Sequence, residues 1–480
     1  MALSKSKFVA GCQCPKLLWW SVHEPLAEEL QPDKVLLDRF DQGRLVGELA
    51  RDQFPGGLLI DRSADHQLEH TQAALATDAP AIFEASFEAG GVTVAADILL
   101  RDGDGFTLIE AKAATSAKDQ HTPDAAVQAW VLRGSGLPVH RVEVMHLNKE
   151  YRHPGVGDLL VRTDVTEAVE AFLPQVAGLV AGFSEILEGS LPATPIGVHC
   201  FEPRECPFMK RCWPDDPEHI STLYNTGPKG TVAYMAQGVH RISDIPAGKK
   251  LPPAAARQLQ ALRENRLIVE PGLAQALESF ERPLGFLDFE TVARAVPVWD
   301  GLAPWGPATA QFSYHEERPG GTYSHVGWLA EGPGDPRREL AERIIEATRG
   351  AKRIVTYSAF EKARIAELQA LVPELAEPLG ALLGKLVDLL PVVRNHVYHP
   401  GFKGSFSIKA VLNPLVPDLT YSDLVIVDGL VASVEIAQLL LAAHKIPVAE
   451  RARIRQDLLD YCERDTWAMV RLLERLRELG

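Results

Sequence analysis

The sequence has no apolar run approaching the ~20 residues that span a bilayer, which argues against an integral membrane protein. It opens on Met-Ala-Leu-Ser-Lys-Ser-Lys, without the apolar stretch and small-residue cleavage site of a secretory signal, so a cytoplasmic setting is expected. Basic residues are in deficit: 49 Lys and Arg stand against 64 Asp and Glu, a formal charge of −15. That balance argues against a broad, non-specific grip on nucleic acid, while a local basic groove is compatible with it. Internal repeats and low-complexity segments are missing, which excludes a repeat architecture. Cysteine is scarce, with six in 480 residues, and unevenly placed at 12, 14, 200, 206, 212 and 462. In a large cytosolic chain such clustering points to metal rather than to disulfides.

What is present reads as α/β. A chain of this length exceeds one ordinary core, so two or three domains are expected. Residues 1–45 read as helical. Residues 81–113 read as a three-stranded meander, divided by Gly90-Gly91 and by Asp102-Gly103-Asp104-Gly105, both of which are turn chemistry. A helix over 124–133, a strand over 141–148 and an amphipathic helix over 165–188 follow. Residues 213–282 offer short helices and no clear strand, which suits a linking subdomain. At Pro283 the pattern restarts, with apolar strands over 284–289, 308–315 and 353–357 and mostly helix beyond.

Within the meander, residues two apart share a strand face, so Glu110 and Lys112 point together and Asp97 on the neighbouring strand converges on them. Two carboxylates suit a hard cation such as Mg²⁺, which activates water and stabilises phosphate charge, and the lysine orients or neutralises. A lone Glu-x-Lys is common on exposed strands. Here Glu84 on the preceding strand and Gln128 on the following helix extend the set. This ordered set resembles the PD-(D/E)XK nucleases of the RecB and CRISPR-associated type. The resemblance implies a restriction-endonuclease-like domain, metal at Asp97 and Glu110 with Glu84 beside them, and catalytic roles for Lys112 and Gln128. An early histidine motif of that family falls near Gly43–Arg51, where this chain has Gly47.

Cys200, Cys206 and Cys212 are too widely spaced for the short Cys-x₂₋₄-Cys steps of a zinc knuckle. Thiolates spread over a loop, with one distant fourth ligand, suit an iron–sulfur cluster better; zinc and free thiols are the alternatives. Members of the same RecB-type family carry one cysteine before the nuclease core and three after it. That resemblance implies a structural [4Fe–4S] cluster on Cys14, Cys200, Cys206 and Cys212, with Cys14-Pro15 matching the family better than Cys12. Cys462 reads as a buried helix residue.

A second acidic set begins at Asp288-Phe289-Glu290, two carboxylates on one face of a strand end. Near the close of the chain, Tyr461 and Asp465 lie four apart on a helix and share a face. Several carboxylates and a tyrosine suit two-metal hydrolysis. The set resembles the DEDD exonucleases of the RNase H-like fold, in the subgroup with tyrosine in the last motif. It implies metal at Asp288, Glu290, Glu361 and Asp465 and a catalytic role for Tyr461, with Glu361 in place of the usual Asp. Asp388 resembles a later Asp that supports the fold, and Ser405–Leu412 resembles a common Ser-Leu-Lys helix start.

The whole chain resembles an uncharacterised bacterial family that fuses such a RecB-like nuclease to an RNase H-like exonuclease. The expected domains are 1–214, a helical linker over 215–282, and 283–480. The expected function is a Mg²⁺- or Mn²⁺-dependent nuclease acting on DNA, single-stranded or from ends. An RNA-processing exonuclease using only the C-terminal site, and a weakly catalytic nucleic-acid-binding scaffold, are the alternatives.

Overall fold

Gly90 and Gly91 take φ of +56° and +79°, the backbone that a two-residue hairpin turn demands and that glycine supplies without strain. The hairpin they close organises the first half of the chain. The computed structural model describes residues 3–63 and 65–480. These form two units: residues up to Trp213 with Arg294–Gly306, and Pro214–Ala293 with Pro307–Gly480. Both are α/β, built on mixed sheets.

The first unit contains β1 (Leu3–Ser4), α1 (Lys5–Gln13), α2 (Pro15–His23), α3 (Lys34–Asp52), β2 (Leu58–Leu59) and α4 (Gln67–Leu75). The meander follows as β3 (Ala81–Ala89), β4 (Val92–Asp102) and β5 (Gly105–Lys112). Then come α5 (Thr122–Gly134), β6 (Val139–Leu147), β7 (Leu160–Asp164), α6 (Thr166–Glu188) and α7 (Met209–Cys212). The seven-stranded sheet runs β2-β3-β4-β5-β6-β7, with β1 added in parallel to β4. β3, β4 and β5 are antiparallel neighbours, while β6 lies parallel to β5, a pairing that the α5 crossover makes feasible. α5 is buried along most of its length, from Ala125 to Leu132, and its alanines let it lie close to β3, β4 and β6.

Side-chain alternation slips at one row of this sheet. Ile82, Ala85 and Phe87 of β3 face the main core, while Ala81 and Phe83 face a smaller one. On β4, Ala96 and Leu99 face the main core and Ile98 the smaller one. Glu84 and Asp97 stand where the phase changes, between the Phe83↔Ile98 and Ala85↔Ala96 pairs, and Glu84 has φ +55°. On β5, Glu110 follows Ile109, which pairs with Ile98.

α6 is long and apolar enough to cross a membrane by length and composition, which the sequence reading did not anticipate because glutamates interrupt it. Its Val169, Val176, Val180 and Phe183 are buried in the core of the unit.

The second unit contains α8 (Gly227–Met235), α9 (Pro253–Glu264), β8 (Ile268–Val269), α10 (Leu273–Leu277), β9 (Leu284–Val292), β10 (Ala308–Arg318) and β11 (Thr322–Leu329). It continues with α11 (Arg337–Ala347), β12 (Arg353–Thr356), α12 (Phe360–Leu371), α13 (Ala376–Lys385), β13 (Leu386–Asp388), α14 (Leu390–His396) and β14 (Val397–Tyr398). α15 (Ile408–Leu415), α16 (Gly429–Leu441) and α17 (Val448–Leu479) complete it. Its main sheet runs β11-β10-β9-β12-β13, antiparallel across β9, β10 and β11 and parallel across β9, β12 and β13. One core joins Leu287, Phe289 and Ile354 to α11, α12 and α13; another joins Phe286 and Val355 to α14, α15 and α17.

Residues 214–293 pack within this unit, and the region read as strand-free contains β8, which pairs with β14. Strands β11, β13 and β14 also lie where the sequence pattern pointed to no strand.

Candidate functional site

The slipped row brings Glu84, Asp97 and Glu110 onto the wall of a cavity of about 740 Å³. Gly43, Arg44, Gly47 and Arg51 of α3 line it, with Asp61 and Arg62. A Cβ at Gly47 would meet nothing within 4 Å, so the position where the family motif has histidine is open space here. Glu84 pairs with Arg62 at 3.3 Å and with Arg51 at 3.7 Å.

Glu110 is the most densely bonded of the three acids. Lys112 Nζ donates to its Oε1 at 2.6 Å, and Gln128 Nε2 to its Oε2 at 2.7 Å. Lys5 Nζ reaches both oxygens, at 2.9 and 3.2 Å. Asp124, at the start of α5, takes Lys112 at 2.7 Å and Lys5 at 3.4 Å. Asp97 Oδ2 accepts the Ala111 N–H at 2.9 Å. Burial and the Glu110 charge push Asp97 up to about 7. Burial also opposes ionisation of Glu110, but Lys5 and Lys112 outweigh it and hold the group below the usual carboxylate range. Gln128 is fully buried, and its Oε1 has no hydrogen-bond partner among the described residues. Asp97, Glu110, Lys112 and Gln128 thus lie together: strand spacing put the first three in reach of one another, and the family resemblance added Gln128. Lys5 and Asp124 are additional: Lys5 stands at no short-range spacing to the rest, whereas Asp124 lies four residues before Gln128 on α5, an i,i+4 signal that could have marked it.

The four thiols of Cys14, Cys200, Cys206 and Cys212 line one small apolar cavity with Leu17, Trp20 and Phe208. All are free. Cys14 ends α1 and precedes Pro15 at the start of α2, while Cys212 ends α7. Gln13 ties this end of α1 to the cysteine loop by donating to the carbonyls of His199 and Arg204, at 3.0 and 2.7 Å. Arg211 binds Glu29 with two hydrogen bonds and lies over Phe208 at 4.7 Å. Burial pushes the Cys206 thiol up to about 11. Among the described residues no three of the sulfurs lie within 4.8 Å of one another. Cys12 packs against the main core of the unit instead.

In the second unit, Asp288, Glu290 and Asp465 place carboxylate oxygens within 4.8 Å of one another. β9 supplies the first two on its α17 side, and α17 supplies Asp465. Burial, and then mutual repulsion, raise Asp288 and Glu290 well above the carboxylate range. Glu361, on the first turn of α12, adds its charge to both and is itself pushed up to about 7, chiefly by burial. One Glu361 oxygen, Oε2, has no hydrogen-bond partner among the described residues. Tyr461 Oη accepts from Lys409 Nζ at 2.9 Å, and Tyr421 Oη donates to Asp465 Oδ1 at 2.5 Å. Lys409 lies in the first turn of α15, which Ser407 caps through the Ala410 N–H. Asp388 Oδ1 accepts the N–H groups of Ser358 and Leu390, so this carboxylate braces the loop before Glu361. Cys462 is fully buried, its sulfur 3.6 Å from Asp288 Oδ2. Tyr421 has no neighbour in sequence that marks it as part of the site.

Residues 285–407 are similar to a family described as a domain of unknown function (DUF2779). No curated protein matches the chain. The crystal structure of SSO0001 is similar at 14% identity, covering 44% of this chain and 84% of that one, with a TM-score of 0.25.

Proposed function

We propose that the chain is a metal-dependent nuclease with two acidic centres: a RecB-like PD-(D/E)XK centre in a restriction-endonuclease-like domain, and a DEDD-type exonuclease centre in an RNase H-like domain. The convergence of Asp288, Glu290 and Asp465 carries the reading. Carboxylates so close raise one another's pKa, and a hard cation relieves that repulsion. The unpartnered Glu361 oxygen makes a fourth acidic ligand of suitable chemistry. Bound among them, Mg²⁺ or Mn²⁺ supplies Lewis-acid stabilisation of phosphate charge. Tyr461, oriented by Lys409, holds the attacking water, and Asp388 keeps Glu361 in place through the loop.

In the first unit Asp97 and Glu110 would hold the cation, and Lys112 neutralises charge at the phosphate. Arg44, Arg51 and Arg62 line the same cavity, interleaved with Glu48, Asp61 and Glu84, so the wall is mixed in charge. The four thiols fit an iron–sulfur cluster better than zinc. The steps from Cys200 to Cys206 and from Cys206 to Cys212 are wider than the short Cys-x₂₋₄-Cys steps of a zinc knuckle. A [4Fe–4S] cluster on Cys14, Cys200, Cys206 and Cys212 would join the ends of this unit, and reduced thiols suit a cytoplasmic setting.

DNA is the proposed substrate, single-stranded or entered from ends. A second reading, in which the C-terminal centre alone cuts and acts on RNA, draws on one observation: among the described residues only that centre has three ligand atoms within 4.8 Å. End-labelled single-stranded DNA and RNA, incubated with Mn²⁺ and wild type, Lys112→Ala or Asp288→Ala, separate these readings. Asp288→Ala is expected to abolish trimming from ends and to leave any Lys112-dependent cutting. Absence of cleavage of either substrate by wild type would overturn the nuclease reading.

A further inference from the structure

We infer that Lys5 is a tethered counter-cation of the first acidic centre, one that competes with the divalent metal for Glu110 and so sets the metal concentration at which the centre fills. This rests on the proposed nuclease reading and adds a control to it. Among the described residues, Lys5 is the one ammonium on both Glu110 oxygens, at 2.9 and 3.2 Å. A bidentate cation would claim the same two atoms. Lys112 touches only Oε1 and keeps a second partner, Asp124, at 2.7 Å. Lys5 also lies 3.4 Å from Asp124, a longer contact to a carboxylate that already binds Lys112 at 2.7 Å.

Charge balance favours exchange over simple addition. Asp97, Glu110 and Asp124 oppose Lys5 and Lys112, while Glu84 is balanced separately by Arg51 and Arg62. Three carboxylates and two ammoniums sum to one negative charge at most. A divalent ion added to them leaves a buried excess of positive charge, which is costly; departure of one ammonium restores neutrality. The backbone of Lys5 is held, so exchange would move only its side chain. Leu3 and Ser4 pair with Val92 and Thr93, and Ser4 caps α1 through the Lys7 N–H. The Lys5 side chain keeps about a quarter of its surface exposed, which leaves the amine a way out.

The test is Mn²⁺ binding by calorimetry, in a background carrying Asp288→Ala and Asp465→Ala so that the second centre is silent. Lys5→Met keeps the apolar stem and removes the charge. It is expected to tighten Mn²⁺ binding roughly tenfold or more, about 1.4 kcal/mol per tenfold, whereas Lys5→Arg stays near the parent. Equal or weaker binding in a folded Lys5→Met overturns the inference and leaves the nuclease reading standing. No Mn²⁺ binding in either protein overturns both for this centre. Should Lys5→Met fail to fold, amine labelling of the unsubstituted Lys5 decides. Labelling that rises with Mn²⁺ supports exchange, and labelling that Mn²⁺ leaves unchanged overturns it.

Discussion

One oxygen of Glu361 meets no hydrogen-bond partner among the described residues, although the side chain is only 3% exposed. A buried carboxylate in that position resists ionising, and its pKa rises to about 7. The folded protein therefore holds a proton that the unfolded chain releases near its ordinary value, about 4.3. Stability falls as pH climbs between those limits, because the unfolded state then binds fewer protons. In chelator-treated protein, the melting temperature of wild type relative to Glu361→Gln should drop as pH rises from 5 to about 8. A difference that stays flat across that range would exclude the raised pKa. Side chains at fixed short spacings were legible at this scale: Glu110 with Lys112, Asp288 with Glu290, Tyr461 with Asp465. Lys5 and Tyr421 were not, because their partners lie in distant parts of the chain and no local periodicity links them.

The strands that position the first centre's acids break the simplest rule for their type. Strict alternation would put Ile82 and Glu84 on one face; the slip at Glu84 and Asp97 instead turns both acids toward the cavity. The meander itself was legible, because its dividers are glycine-rich turns between apolar runs. β11 was not, since it lies at the sheet edge and is half-buried or exposed over most of its length, with Thr, Ser, His and Gly interrupting any apolar alternation. α1 links two features, with Lys5 at its first residue and Cys14 as its C-cap. Cys206→Ser is expected to lower solubility or folding yield and to remove iron and brown colour from anaerobically purified protein. A colourless wild type with stoichiometric zinc would overturn the cluster assignment.

At the scale of the molecule, the chain does not divide at one point. The segment Arg294–Gly306 belongs with the first unit, although the residues on either side of it belong to the second. Arg294 pairs with Asp38 at 2.8 Å, Ala295 is fully buried beside Val46 and Leu147, and Trp305 Nε1 donates to the Ala113 carbonyl at 2.7 Å. A fragment ending at Trp213 loses these contacts, so it should melt at lower temperature than the same unit within the whole chain, by differential scanning calorimetry. Equal melting would show the segment to be energetically idle. The α/β class followed from strand and helix patterns, whereas this interleaving carries no composition signal. α17 has a different consequence. It carries Tyr461 and Asp465, whereas the side chains of the first centre are all present once Gln128 has been made. At about 5–20 residues per second, Asp465 leaves the ribosome some 20–70 s after Gln128. A nascent chain thus holds one acidic centre with its side chains complete while the other still waits for its last carboxylate.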